Sequence, residues 1–297
     1  MAGTRAVKAA PVIGGVTISN ADKVWFPDDG ITKGDVARFY DAISELILPW
    51  LRDRPLTAER CPDGLAGGCF YQKDFPQGKA PVEVPRVIVR ASSTGKDVHY
   101  LVGGSKLALL SLANLGCIAM HVMTARVRDL HEPDWLVYDL DPQGGEFADA
   151  ARAGLALRKV LDERKLPSFP KTSGSRGLHV FIPLKPGHTS EQVVAYAVSV
   201  GEEVAKREPE LVTTAFSKAS RRALVYADPF RNAYMQTIVS PYSVRRRPHA
   251  PVSTPLAWDE VTPRLDPVRF ALRTFDKRAA KADPWKDFAK RAVKLPV

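Results

Sequence analysis

Cysteine is scarce in this sequence: there are three, Cys61, Cys69 and Cys117, and no CxxC pair. Structural zinc sites and disulfide frameworks need denser, regularly spaced cysteines, so neither is indicated and the chain reads as cytoplasmic. Long apolar runs are missing too. No uncharged stretch approaches the ~20 residues that cross a bilayer, so no transmembrane helix and no membrane partner is expected. The opening "MAGTRAVKAAPVIGG" has too short an apolar core for a signal peptide. Residues 1–16 read instead as a flexible basic lead-in, followed by one compact unit over 17–297 without repeat, low-complexity tract or linker. Acid is in deficit: 33 Asp/Glu stand against 43 Lys/Arg, a net charge of +10. That balance suggests a polyanionic partner, nucleic acid before membrane, although a basic enzyme of another kind would show it as well.

What is present alternates between helical and strand periodicity. "TKGDVARFYDAISELILPWLRDR" carries an apolar stripe at Val36, Phe39, Tyr40, Ile43 and Ile47, opened by Thr32 and Asp35 in the manner of a capping box. "PLTAERCPDGLAGGCFYQKDFP" reads as strand, Gly-rich turn, strand. "VPRVIVR" and "DVHYLV" read as a hairpin around Ser93, Thr94 and Gly95. "SKLALLSLANLGCIAMHVM" is apolar on nearly all sides and is expected to be a buried helix. Two amphipathic helices follow, "EFADAARAGLALRKVLDERKL" and "SEQVVAYAVSVGEEVAKREP", with a strand–turn–strand unit "SFPKTSGSRGLHVFIPL" between them. "RALVYADPF" is a further strand, and the proline-rich stretch Pro241 to Pro267 is expected to run extended over the surface. The mixture implies an α/β fold of the α+β type.

Four constellations carry chemistry. In "WLVYDLDP", Asp139 and Asp141 lie two apart on a strand and share a face, an arrangement that suits hard divalent cations. Two solvated acids at a strand end would look the same. Asp228 in "YADPF" repeats the pattern and could complete a two-metal site. "KTSGSRGLH" is a tight turn of Ser173, Gly174, Ser175 and Gly177 with Lys171 and Arg176 beside it, rich in donors that can cradle phosphate, and His179 follows. It is not a Walker loop, because GxxxxGK[ST] spacing is absent. Finally, Lys218, Arg221, Arg222, Arg231, Arg245, Arg246 and Arg247 concentrate cations around Asp228.

Taken in order and spacing, "DLDP", "TSGSRGLH" and "SKASRR…YADPFRN…SPYSVRRRP" resemble the polymerase domain of bacterial ATP-dependent DNA ligase D, in the archaeo-eukaryotic primase superfamily. "DKVWFPDDGITKGDVARFYDAI", "RPLTAERCPDGLAGGCFYQK" and "LANLGCIAMHV" resemble its N-terminal signatures, so that the likeness covers roughly residues 17 to 275. The resemblance implies two central sheets facing an active-site cleft, flanked by helices. It makes Asp139, Asp141 and Asp228 the catalytic, metal-binding acids for two Mn²⁺ or Mg²⁺ ions. It places His121, Ser175, His179, Lys218, Arg221, Arg245 and Arg247 at the nucleotide. It gives Lys23 and Lys33 a 5′-phosphate on the downstream DNA strand, and Phe70 and Tyr71 a template base. Pro229 after Asp228 departs from the family's usual Asp-Tyr-Leu-Arg-Asn segment.

The implied activity is template-directed addition of ribo- or deoxyribonucleotides, from NTP or dNTP, to a primer 3′-hydroxyl at gapped or broken DNA. The implied setting is non-homologous end joining, in the cytoplasm at the nucleoid, with Ku and a DNA ligase as partners. No lysine-x-Asp-Gly ligase motif occurs, so a stand-alone polymerase or an excised domain is expected. Three rivals remain at this point. A primer-independent primase would share the site. A DxD glycosyltransferase would not need the Lys23/Lys33 pair, and a non-catalytic DNA-end-binding module would not need the acid triad.

Overall fold

The computed structural model describes residues 9–81, 83–91 and 94–296. Thr32 caps the first helix as its sequence suggests. Its hydroxyl accepts from the Asp35 N–H at 3.1 Å, and the Asp35 carboxylate accepts from the Thr32 N–H at 2.9 Å. The expected single helix is two. α1 (Lys33–Ala42) ends at Ile43, which leaves helical geometry at φ −98°, ψ 13°, and α2 (Ser44–Leu51) restarts beyond it. Ile43 and Ile47 are both buried across the break, so the apolar stripe survives the interruption.

A second expectation is corrected just downstream. The apolar run after Ser105 is α3 (Lys106–Asn114) and then a strand, Cys117–Met123. Gly116 makes the switch at φ +92°, where an added Cβ would meet the Pro62 backbone at 2.9 Å. A segment buried on every side loses its period, and only the glycine marks the boundary.

Nine strands build two sheets. The four-stranded sheet comprises β1 (Leu56–Arg60), β2 (Phe70–Gln72), β3 (Cys117–Met123) and β9 (Thr237–Val239), in the order β9-β3-β1-β2. The five-stranded sheet comprises β4 (Trp135–Pro142), β5 (Phe169–Thr172), β6 (Leu178–Pro183), β7 (Val212–Thr213) and β8 (Val225–Asp228), in the order β5-β6-β4-β8-β7. Only the β7–β8 pair is parallel. The helices α4 (Phe147–Glu163) and α5 (Ser190–Arg207) cover the outer face of the five-stranded sheet, where the Tyr138 hydroxyl donates to the Ala197 carbonyl of α5. Residues Arg86–Arg90 and Asp97–Leu101 pair as the expected hairpin, whose anticipated turn residue Ser93 lies outside the described residues.

The two sheets face each other across a cleft. One end of it is closed by an aromatic box, in which Trp135, Phe169 and Phe181 of the five-stranded sheet meet Trp50 of α2 and Trp285 and Phe288 of the C-terminal segment, with ring centroids 5.0 to 6.3 Å apart. Arg54 staples it. This guanidinium is 0 % exposed, lies 3.5 Å over Trp135, donates to the Met123 carbonyl and pairs with Asp134, which Arg126 also holds. Burial lowers the Arg54 pKa to about 10, so the pair stays ionic at neutral pH.

Three further expectations change. Residues Val12–Ile13 and Val16–Thr17 pair as a small hairpin with Ile13 buried, so this part of the lead-in is not a loose arm; residues 1–8 lie outside the described residues. The stretch from Pro241 to Pro267 is not draped over the surface. Tyr242, Ser243, Val244 and Val252 through Leu256 are buried, because Thr254 and Leu256 donate to the carbonyls or hydroxyls of β5 and extend its edge. Cys61 and Cys69, expected to be free, form a disulfide: the Gly-rich turn between β1 and β2 brings them to a Cα separation of 4.4 Å although they are eight positions apart.

Removing the carboxylate of the staple leaves a desolvated cation. Asp134→Ala is expected to destabilise the fold by about 3–5 kcal/mol. Urea unfolding curves would read this as a fall in midpoint at constant slope, and an unchanged midpoint would refute it.

Candidate active site

The acids meet because of strand register. Asp139 on β4 sits directly opposite Asp228 on β8 and directly opposite His179 on β6, and His179 in turn faces Lys171 on β5. One row of four side chains therefore crosses four strands on the cleft face. Asp141, two residues on, shares that face. After Asp228 the chain turns away: Pro229 starts a short turn through Asn232, in which the Phe230 N–H donates to Asp228 Oδ1 at 2.8 Å, whereas Pro142 after Asp141 still pairs with Val225 as the last residue of β4. Asn232 is fully buried and locks this turn to β4, accepting from the Val137 N–H and donating to the Val137 and Pro229 carbonyls.

The electrostatics of the row are uneven. His179 Nε2 stands 3.3 Å from Asp139 Oδ1. Burial and the nearby Lys171 push His179 down to about 4, so it is neutral at pH 7. Burial acts to raise Asp139, but its surroundings of His179, Arg231 and Arg245 hold it well below the usual carboxylate range. Burial and the neighbouring Asp139 charge push Asp141 up, and burial pushes Asp228 up against the pull of Arg231. The Arg231 guanidinium lies between two of the acids, with Nε 3.5 Å from Asp139 Oδ2 and 3.3 Å from Asp228 Oδ2.

Among the described residues no three His, Cys, Asp or Glu side chains already converge as a finished metal cage. The donor set still fits a hard divalent cation: carboxylate oxygens on one face, two of them, Asp141 and Asp228, pushed toward protonation by burial and the Asp139 charge, and a guanidinium already drawn between Asp139 and Asp228.

Two cavities flank the row. One, of about 620 Å³, is lined by Thr57, Tyr71 and His121 from the four-stranded sheet and by Asp139, His179 and Arg245. The other, of about 590 Å³, is lined by Asp139, Asp141, Asp228, Lys218, Arg221 and Phe230. Ser175 and Arg247 are not in either; they line a third cavity, of about 670 Å³, with Arg176 and His249. The hydroxyl that organises the turn is Ser173, whose Oγ accepts from the Ser175 and Gly177 N–H groups, while Arg245 donates to the Ser173 carbonyl. Lys171 is not on that turn. It is fully buried on β5, hydrogen-bonded to Ser253.

Glu59, which the sequence reading passed over, lies beside His121 and Arg246, next to the cavity that His121 lines. It is buried in the four-stranded sheet, and burial would raise it, but His121, Arg245 and Arg246 hold it down to about 2. Its Oε1 accepts from Arg246 at 2.7 Å and its Oε2 lies 4.0 Å from His121 Nε2. His121 is also met edge-on by the Tyr71 ring at 5.3 Å. The signal in the sequence was an acid inside the otherwise apolar strand "LTAER".

With this geometry in place, comparison is informative. The sequence profile of the "LigD, primase-polymerase domain" matches residues 32–285. The chain belongs to that family. Primase-polymerases are nucleotidyltransferases, and their fold is the one described here: the polymerase domain of ligase D from Mycobacterium tuberculosis, solved in complex with DNA, superposes with a TM-score of 0.85 at 31 % identity, covering 94 % of this chain and 99 % of that one. The multifunctional non-homologous end joining protein LigD of Mycolicibacterium smegmatis is 31 % identical over 86 % of this chain and 34 % of its own length. The bifunctional LigD of Bacillus subtilis is 31 % identical over 97 % of this chain and 46 % of its own length. The chain thus spans a third to a half of these curated relatives.

Lys23 and Lys33 lie apart from the acids, at the start of α1. Lys33 donates to Ser19 and Asn114 at 3.1 and 3.0 Å, and Lys23 pairs with Asp63 at 2.7 Å. Burial, with the charges of Lys23 and Arg60, lowers Lys33 to about 8. An anion entering here relieves that repulsion. Lys33 is fully charged below its pKa, so affinity for a 5′-phosphorylated gapped duplex relative to its 5′-hydroxyl twin should be greatest near pH 7 and fall as pH rises through 8. The expected loss by pH 9.5 is about tenfold, the worth of one charge-assisted hydrogen bond. Titration calorimetry of the two duplexes would measure it, and a flat ratio across this range would exclude an anion site at Lys33.

Proposed function

We propose that the chain is a template-directed nucleotidyltransferase that extends a primer 3′-hydroxyl with ribo- or deoxyribonucleotides at DNA gaps or ends in non-homologous end joining. The observation that carries this is the single row joining His179, Asp139 and Asp228, with Asp141 on the same face, at the open end between two sheets of the primase-polymerase fold. Its basic surroundings and net charge of +10 suit a DNA substrate.

In this reading Asp139, Asp141 and Asp228 hold two divalent ions, Mn²⁺ or Mg²⁺. When bound, these supply positive charge to the attacking oxygen, the transferred phosphoryl group and the leaving pyrophosphate. The chain's own residues do the rest. Asp139, kept ionised by His179, Arg231 and Arg245, would be the carboxylate readiest to take a cation. Arg231 is drawn between Asp139 and Asp228 by their charge and becomes free to meet a phosphate oxygen once that charge is otherwise balanced. Arg245, anchored on the Ser173 carbonyl, and Lys218, exposed at the rim, serve the triphosphate. His179 stands against Asp139, and His121, which Tyr71 meets edge-on and Glu59 faces at 4.0 Å, lies at the nucleotide. Ser175 and Arg247, in the neighbouring cavity, and Arg221, under the Phe216 loop, act at its edge. Phe70 and Tyr71 are exposed on β2 and offer a stacking face to a template base. Lys23 and Lys33 receive the downstream 5′-phosphate. Ku and a DNA ligase are the partners the end-joining role calls for.

Extension of a primer across a one-nucleotide gap, with rNTP or dNTP and Mn²⁺ or Mg²⁺, tests the reading. Asp139→Asn, Asp141→Asn and Asp228→Asn should each reduce nucleotide addition about a thousandfold, equivalent to about 4 kcal/mol of transition-state stabilisation. Affinity for the gapped duplex should be retained. Product formed without a primer would instead favour a primase, and full extension by all three variants would remove the acids from the mechanism.

A further inference from the structure

Two phenylalanines stand in solvent next to the acids with no structural need to do so. Phe216 is 74 % exposed and Phe230 is 39 % exposed. Their rings meet edge to face, with centroids 5.7 Å apart and planes at 87°. Exposed aromatic pairs are uncommon on a surface that could bury them, and they mark binding faces.

The pair is not loosely presented. Arg221, itself buried, donates from Nε to the Ala215 carbonyl at 3.0 Å and from Nη2 to the Phe216 carbonyl at 2.7 Å, with its guanidinium 3.5 Å over the Tyr226 ring. Thr213 accepts from the Ala215 N–H. Phe230 is fixed from the other side by its N–H bond to Asp228. Arg221 spends its hydrogen bonds holding the loop that carries Phe216, so the ring is pushed outward by design of the backbone beneath it. Both rings line the same cavity as Asp139, Asp141 and Asp228, and Lys218 lines it with them. Arg222 is exposed in the same loop. Aromatic faces interleaved with cations form the chemistry that stacks unpaired bases and tracks their phosphates.

Which base is set by the cleft. Tyr71 and the neighbouring Phe70 lie on the opposite, four-stranded sheet, and Tyr71 lines the cavity on the other side of the acid row. The acids thus stand between two aromatic faces. The DNA group that has to reach them is the 3′-hydroxyl at the end of the growing strand, and with the template assigned to the Tyr71 face, the aromatic face left beside the acids for the base on that sugar is the Phe216–Phe230 pair.

We propose that Phe216 and Phe230 form a stacking platform for the 3′-terminal base of the primer strand. The assignment rests on the polymerase reading above. The probe is a gapped duplex carrying 5-iododeoxyuridine either at the primer terminus or at the templating position, irradiated with the full chain in the absence of nucleotide. Cross-linked peptides are then identified by mass spectrometry. The primer-terminal probe should cross-link to Phe216 or Phe230. Phe216→Ala should abolish that product and weaken binding of the duplex about tenfold, while Phe216→Trp keeps both. Phe216 is exposed, so an unchanged melting temperature accompanies either substitution. Cross-linking of the templating probe to these residues, or of the primer-terminal probe elsewhere on a duplex that is bound and extended, overturns the platform and leaves the polymerase standing. A chain that binds no gapped duplex overturns both.

Discussion

A single row of backbone pairing, Lys171 to His179 to Asp139 to Asp228, runs across four strands of the five-stranded sheet, and the chemistry of the cleft is placed by it. Side chains on a strand alternate, so a slip of one residue at β4 would send Asp139 and Asp141 to the helix side, where Tyr138 and Leu140 now pack. The register is held from both faces. Outside, Tyr138 reaches the α5 backbone, and α4 comes so near at Gly154 that a Cβ there would stand 2.3 Å from Leu178. Inside, the Asn232 amide takes the Val137 backbone groups that no strand pairs, and this lets the chain leave the sheet just after Asp228.

The same row explains why its acids are not equivalent. Asp139 sits in the middle, between a histidine and a second carboxylate, with Arg231 and Arg245 in reach, and it keeps its charge despite burial. Asp228 at the end of the row, and Asp141 two residues along β4, are pushed toward protonation by burial and by the Asp139 charge beside them. A site of this kind gains most from positive charge placed between the central and outer acids. Arg231 occupies that position, the best answer the chain can give with its own atoms.

Much of this was legible in the sequence, and the reason is local. Acids two apart on a strand, a proline behind each strand-end acid, a Ser/Gly turn before a histidine and a capping box all depend on neighbours in the chain. The parts that were not legible depend on partners far away. Glu59 gains its meaning from His121 and Arg246, which lie 62 and 187 positions away. Ser173 rather than Ser175 holds the turn because the backbone folds back on it, and Lys171 vanishes into the core because Ser253 and Phe181 close over it. The strand Cys117–Met123 was hidden by its own burial, since a segment apolar on all sides carries no period. The disulfide depended on a turn shape that residue spacing alone does not declare.

The division of labour between the two ends of the cleft follows from the same physics. At the closed end aromatic rings pack α2 and the C-terminal segment on the five-stranded sheet, and the fully buried Arg54 links the two sheets by lying over Trp135, donating to the Met123 carbonyl and pairing with Asp134. At the open end Arg246 holds Glu59 at 2.7 Å but the other charges are paired more loosely, at 3.3 to 4.0 Å, and several polar atoms there have no hydrogen-bond partner among the described residues: Glu59 Oε2, His121 Nε2, His179 Nδ1, Arg231 Nε and Arg245 Nε. Buried polar groups without partners cost free energy in a finished core. At the closed end the atoms of this kind, Arg54 Nε and Trp135 Nε1, are enclosed by packing, whereas His121, His179, Arg231 and Arg245 line one cavity, where a bound group can complete their hydrogen bonds.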